Sequence, residues 1–139
     1  GFNARMTDLH AAIGVAQMER LDELNGRRAE HAAWFADRIT SVVLPVERPG
    51  RHHAWHQYTI QVDGGRDRDA AAAQLTAAGV GTAIFYPIPL HHQPHVRDIV
   101  GEVALPVAEQ LATSVLSIPV HPELSAADLD TIVTAVNAL

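Results

Sequence analysis

From Leu9 to Met18 the sequence is apolar at nearly every position around a helix. Leu9, Ala12, Ile13 and Ala16 form one stripe, and Ala11, Val15, Met18 and Leu21 form a second, offset around the axis. A helix of that kind is normally buried on more than one side, so it calls for more neighbouring protein than an ordinary surface helix does. Thr7 is a good N-cap for it, and Asp8 places a carboxylate in the first turn, where the helix dipole favours negative charge. From Asp22 the pattern becomes amphipathic. Glu23, Arg27, Arg28, Glu30, Asp37 and Arg38 give a wet face, while Leu24, Ala32, Phe35, Ala36 and Ile39 give a dry one. The periodicity predicts a long helix over 6–41, with Gly26 as the place for a bend or break.

The rest of the chain alternates. Val42 to Glu47 and Pro49-Gly50 read as an extended connection and a turn. His53 to Asp63 reads as a half-buried strand, with Tyr58, Ile60 and Val62 apolar and Thr59, Gln61 and Asp63 polar, ended by Gly64-Gly65. Asp67 caps a helix that runs to Ala78, and Gly79 takes the position after its end. Val80 to Tyr86 reads as a second strand, and Pro87 to His95 as a loop, because its three prolines remove donors and restrict the residues before them. Pro106 opens a further helix, Val115 to Val120 makes a third strand, and Ser125 caps a last helix with Leu129, Ile132, Val133 and Val136 on one face. This order predicts an α/β layer structure in which one small three-stranded sheet is covered by helices.

At 139 residues the chain suits a single domain able to bury its own core. Its net charge of −6 is scattered, and no Lys/Arg cluster stands out, which argues against nucleic acid and anionic membrane as partners. No apolar run approaches the roughly 20 residues that span a bilayer. The absence of cysteine suits a reducing compartment, and a cytoplasmic location is expected. The first residue is Gly1 and a motif follows almost at once, so the expectation is a piece of a longer protein. All ten basic residues are arginine. Chemistry that needs a lysine amine, Schiff-base formation with a carbonyl cofactor included, therefore has to come from elsewhere.

Asn3 and Arg5 stand just ahead of the first helix and offer an amide and a guanidinium to an anion, or else form a solvated lead-in. Nine histidines fall mostly into two groups, His52, His53 and His56, and His91, His92 and His95. Neutral imidazoles suit zinc, copper or nickel, so the groups could form a metal site if their loops met; exposed or hydrogen-bonding histidines are the other reading. His10 and His31 are expected on helix surfaces, and His121 in a loop. Tyr86 ends a strand and enters the proline loop. Gly79-Val80-Gly81 precedes a strand, whereas a dinucleotide fingerprint follows one, so that motif is excluded.

Seven stretches in order resemble the C-terminal part of the DegT/DnrJ/EryC1/StrS family of pyridoxal-phosphate-dependent sugar aminotransferases. They begin with Gly1-Phe2-Asn3-Ala4-Arg5-Met6-Thr7-Asp8-Leu9, Ala11 to Asp22, and His53-Ala54-Trp55-His56-Gln57-Tyr58. Gly79-Val80-Gly81-Thr82, Tyr86-Pro87-Ile88-Pro89-Leu90-His91, Pro106-Val107-Ala108-Glu109 and Leu116 to Ser125 complete the set. The resemblance implies an α/β fold of the α+β type, the small domain of a fold-type I aminotransferase with a mostly antiparallel sheet. Residues 1–139 would be that single domain, and the large cofactor domain, which carries the lysine for pyridoxal 5'-phosphate, would lie outside this chain. It further implies that Asn3 donates to the cofactor phosphate of the neighbouring subunit, that Arg5 shapes the same shared site, and that Tyr86 and His91 border the nucleotide-sugar or cyclitol substrate. A homodimer or other self-association through the N-terminal helix is expected, and the fragment alone is expected to be inactive. The alternatives are a small histidine-rich metal-binding module and a stand-alone dimerisation or ligand-binding domain.

Overall fold

The computed structural model describes residues 2–62 and 65–139. Among them are six helices, α1 (Asp8–Met18), α2 (Leu21–Arg38), α3 (Arg68–Ala77), α4 (Pro94–Val100), α5 (Pro106–Ser114) and α6 (Ala126–Asn137). Two strands, β1 (Tyr58–Gln61) and β2 (Val115–Ile118), pair antiparallel with Tyr58 opposite Ile118 and Ile60 opposite Leu116. Those four side chains are all buried, and the α2, α3 and α6 residues Phe35, Leu75, Leu129, Ile132 and Val136 join them in one core.

The expected cap residues stand where the sequence puts them. Thr7 Oγ1 accepts the His10 N–H, and Asp67 accepts from the N–H groups of Asp69 and Ala70. Ser125 and Asp128 cap reciprocally: Asp128 N–H donates to Ser125 Oγ at 3.2 Å, and Ser125 N–H to Asp128 Oδ2 at 2.9 Å. Both of these bonds satisfy donors that the first turn of a helix otherwise leaves unpaired. Ser125 thereby holds the Asp128 carboxyl below its ordinary range, through the hydroxyl first and the backbone N–H second.

The structure corrects several expectations. The long helix over 6–41 is two helices, and the junction lies at Glu19 and Arg20, where Arg20 has φ −107° and ψ 0°, not at Gly26, which sits inside α2. The turn separates a helix with no buried residue from one whose second half packs on the core. α2 buries Ala32 and Phe35, whereas α1 buries nothing. The sheet has two strands rather than three, since Val80 to Tyr86 contributes a single antiparallel bridge, Ala83 to Ser117. Pro87 and Pro89 follow closely, supply no ladder donor and restrict the residues ahead of them, so the chain leaves β2 after one pairing. On the opposite edge Val43 makes a similar bridge to Gln61.

The first part of the expected strand at His53 is a turn instead. His53 Nδ1 accepts the Trp55 N–H at 2.8 Å, and Trp55 takes a positive φ of 46°, so a side chain does what a neighbouring strand would have done. The end of that strand, at Asp63 and Gly64, lies outside the described residues. α4 begins at Pro94, within the expected loop, where the proline's missing N–H costs nothing because a first-turn N–H has no helical partner.

Polar contacts tie the layers together. Asn137 Nδ2 donates to the Arg38 carbonyl at 2.8 Å while its Oδ1 accepts from Thr40 N–H at 2.9 Å, joining the ends of α2 and α6. The Arg68 guanidinium is buried and donates to the Ala112 carbonyl at 3.0 Å, near the end of α5. A cation at a helix C-terminus satisfies both an orphan carbonyl and the dipole.

Candidate functional site

Two places carry groups that could act on a ligand. The first is the lead-in to α1. Arg5 Nε donates to Asn3 Oδ1 at 3.2 Å, and both side chains are exposed. That bond uses one guanidinium N–H and the amide oxygen. The Asn3 amide NH2 and the two outer Arg5 nitrogens, all donors, remain for an anion.

The second is the segment from Phe85 to His92. Its prolines at 87 and 89 keep it out of the sheet, and a 3-10 turn, Leu90–His92, brings it back against α5. Between this segment, α4 and α5 lies an open cavity of about 500 Å³ whose walls include Tyr86, Ile88, Leu90, Val100, Val103 and Leu111. Tyr86 is 72% exposed, so its hydroxyl is free to meet a ligand at the mouth. His91 also lines the cavity but is buried, with Nε2 3.0 Å from Glu109 Oε1. The same oxygen accepts the Leu105 N–H at 2.8 Å, and His92 Nε2 stands 3.7 Å from it. The Leu105 N–H, followed by the His91 imidazole, holds the Glu109 carboxyl below its ordinary range.

The structure thus brings Tyr86 and His91 to one cavity. Neither Asn3 nor Arg5 lines it. Glu109 stood in a matched sequence stretch without a role, and its position three residues after the helix-opening Pro106 is the signal that would have placed it beside the start of α5.

The two histidine groups do not combine. Among the described residues, the one set of side chains close enough to hold a metal is His91, His92 and Glu109, with ligand atoms within 4.8 Å of one another. His53 stacks on Trp55 with ring centroids 4.1 Å apart, and His56 and His121 line a separate cavity with Arg28 and Thr82. His31 is not on a helix surface as expected. It is half-buried, with an Nδ1 that has no partner among the described residues. No helix of the described residues is long and apolar enough to cross a membrane.

Comparison with known proteins agrees with the fold. A UDP-N-acetyl-3-dehydro-alpha-D-glucosamine 3-aminotransferase of Acidithiobacillus ferrooxidans is 37% identical over 138 residues, covering 98% of this chain and 36% of that protein. The erythromycin biosynthesis sensory transduction protein EryC1 of Saccharopolyspora erythraea is 35% identical, over 99% of this chain and 38% of its own length. Among solved structures, DesV of S. venezuelae, in complex with a ketimine intermediate, superposes with a TM-score of 0.90 at 32% identity, over 99% of this chain and 38% of that one. A DegT DnrJ EryC1 StrS aminotransferase from Brucella abortus gives 0.89, also at 32% identity, over 99% of this chain and 37% of that one. The chain therefore spans little more than a third of the length of these relatives. The model of the DegT/DnrJ/EryC1/StrS aminotransferase family matches residues 1–137, and the chain belongs to that family.

Proposed function

We propose that this chain is the C-terminal, small-domain portion of a pyridoxal-phosphate-dependent aminotransferase that places an amino group on a keto-sugar, nucleotide-linked or cyclitol. The observation that carries the reading is the family match over residues 1–137. The first relative named above, a 3-aminotransferase by name, supports a keto-sugar substrate. Bound pyridoxal phosphate supplies a carbonyl for amine exchange and an electron sink for the carbon that loses its proton. The donor set left open at Asn3 and Arg5 fits the phosphate of that group, in the site of a neighbouring subunit. With no lysine in the chain, the covalent anchor is supplied by the cofactor domain of the longer enzyme. Tyr86 offers a hydroxyl to the substrate at the mouth of the apolar cavity, and His91 sits in the cavity wall behind it.

The test has two arms. This chain, mixed with pyridoxal phosphate and reduced with borohydride, should carry no adduct on any side chain and should show no transamination. In the intact enzyme, Asn3→Ala should raise the cofactor concentration for half-saturation by about tenfold, the worth of one hydrogen bond to a charged group. A stable adduct at a defined side chain, or a cofactor requirement indifferent to Asn3, would count against the reading.

The exposed face of α1 has its own place in this proposal. Leu9, Ile13, Val15 and Met18 are each more than half exposed, on a helix that buries no residue in this chain. An uncovered apolar face of this kind marks an interaction site, and we assign it to the dimer contact that brings Asn3 to the partner's cofactor. Sedimentation on the order of tens of micromolar, a range in which weak association is visible, should show self-association. A clean monomer that persists as the concentration is raised would speak against the assignment.

A further inference from the structure

The segment that carries Tyr86 is held at two points. At one end Ala83 and Ser117 exchange both backbone hydrogen bonds, at 3.1 and 2.7 Å. At the other end His91 is turned inward onto Glu109 Oε1 at 3.0 Å. Between them Pro87 and Pro89 fix two φ angles and offer no N–H, so the segment is stiff but has few bonds of its own. A stiff segment with two anchors has its middle placed by those anchors. Phe85, Tyr86 and Ile88, in that middle, are all exposed.

The second anchor is built for permanence. Glu109 lies in the first turn of α5, where the positive end of the helix favours a carboxylate. The Leu105 N–H fixes one of its oxygens from the helix side at 2.8 Å, and the same oxygen then accepts from the imidazole. Charge-assisted bonds of this type are stronger than neutral ones. That oxygen already accepts from two donors, so the latch needs no metal ion to hold it, although His91, His92 and Glu109 lie close enough to one another to hold one.

We propose that Glu109 is a positioning residue: through His91 it latches the proline segment to α5 and so sets where Tyr86 stands at the cavity mouth. The identity of the ligand that meets Tyr86 rests on the proposed function, whereas the latch itself does not.

Two amides report on the latch, His92 N–H bonded to the Pro89 carbonyl at 3.0 Å and Gln93 N–H bonded to the Leu90 carbonyl at 3.1 Å. In this chain, Glu109→Ala should speed hydrogen exchange at both by about tenfold or more, while Ile60 and Leu116 in the sheet keep their protection. Glu109→Gln keeps an oxygen acceptor and should restore most of the protection. At these two amides His91→Ala should match Glu109→Ala, and the double variant should be no worse than Glu109→Ala alone, because the bond the amides report on is shared; the Leu105 N–H bond, lost only with Glu109, lies at the start of α5. If Glu109→Ala unfolds the chain, seen as lost protection at Ile60 and Leu116, the His91→Ala comparison carries the same test.

In the intact enzyme, Glu109→Ala should raise KM for the keto-sugar about tenfold with kcat within about twofold, and Glu109→Gln should remain near wild type. Unchanged exchange in both Ala variants would overturn the latch. So would zinc bound one to one by the unaltered chain and lost in Glu109→Gln, which would make the cluster a metal site. Faster exchange with an unchanged KM would overturn the link to substrate. A wild-type enzyme that turns over no keto-sugar would overturn the proposed function and leave the exchange result standing.

Discussion

Replacing Phe35 by alanine is expected to lower the stability of the chain by about 3–5 kcal/mol, the range for removing a fully buried phenylalanine. Phe35 has no exposed surface, and its ring meets Tyr58 edge-on with centroids 5.2 Å apart and planes at 67°. Within α2, only Ala32 and Phe35 are buried, so the ring is the main plug joining that helix to β1. Ala32 is too small to fill the gap, and Tyr58 is also held by Trp55, whose ring stacks on it at 5.5 Å. The surroundings therefore cannot collapse easily, and the loss should fall within that range rather than below it. Urea unfolding at neutral pH would measure it, with the midpoint moving and the slope unchanged. A loss under about 1 kcal/mol would mean that α2 is not docked through this side chain.

A second large effect is expected at high pH. Burial without a hydrogen-bond partner disfavours the Tyr58 phenolate, and its pKa is pushed up from 10.0 to about 12. Since the folded-state value lies above the unfolded one, the folded chain keeps a proton that the unfolded chain has already lost. The contribution is complete below pH 10 and disappears as the pH climbs to 12. Two units correspond to about 2–3 kcal/mol. The chain has neither lysine nor cysteine, and its other tyrosine, Tyr86, is exposed. Unfolding measured between pH 9.5 and 12 should show the fall in the natural chain, and Tyr58→Phe should flatten it (~2 kcal/mol less slope in total). At pH 7 the same variant should be as stable or up to about 1 kcal/mol more stable, because the hydroxyl has no partner among the described residues. An equally steep fall in Tyr58→Phe would place the effect on another group.

Much of the local structure could be read from residue order. Thr7, Asp67 and Ser125 are capping residues because their short oxygen-bearing side chains reach an N–H two or three residues on, and the structure shows each bond. Gly79 has φ +84°, as the position after a helix end asks. Tyr58 and Ile60 face the core by strand alternation alone. Two elements escaped that reading. Gly26 is a weak helix residue, yet the chain turns at Glu19 and Arg20 instead, and nothing in the pattern of apolar residues marks that place. Val80 to Tyr86 has strand formers, but how many of them pair depends on how far β2's edge and the prolines run together.

The site divides in the same way. Tyr86 and His91 stood out within one motif, and the structure sets them around one cavity. Their difference in exposure did not stand out. It arises because Glu109, 18 residues further on, reaches His91 and not Tyr86. Residue order alone settled which chemistry is open to this chain: arginine donors, imidazoles, a phenol, and no amine side chain to hold a carbonyl cofactor. It settled the helix caps and the inward faces as well, since these depend on neighbours within a turn or a pleat. Tertiary structure alone decided how much of Val80 to Tyr86 pairs with β2 and that His91 meets Glu109. The lone bridge of Ala83 to Ser117 and the bond from His91 to Glu109 join residues well apart in sequence, which no local periodicity encodes.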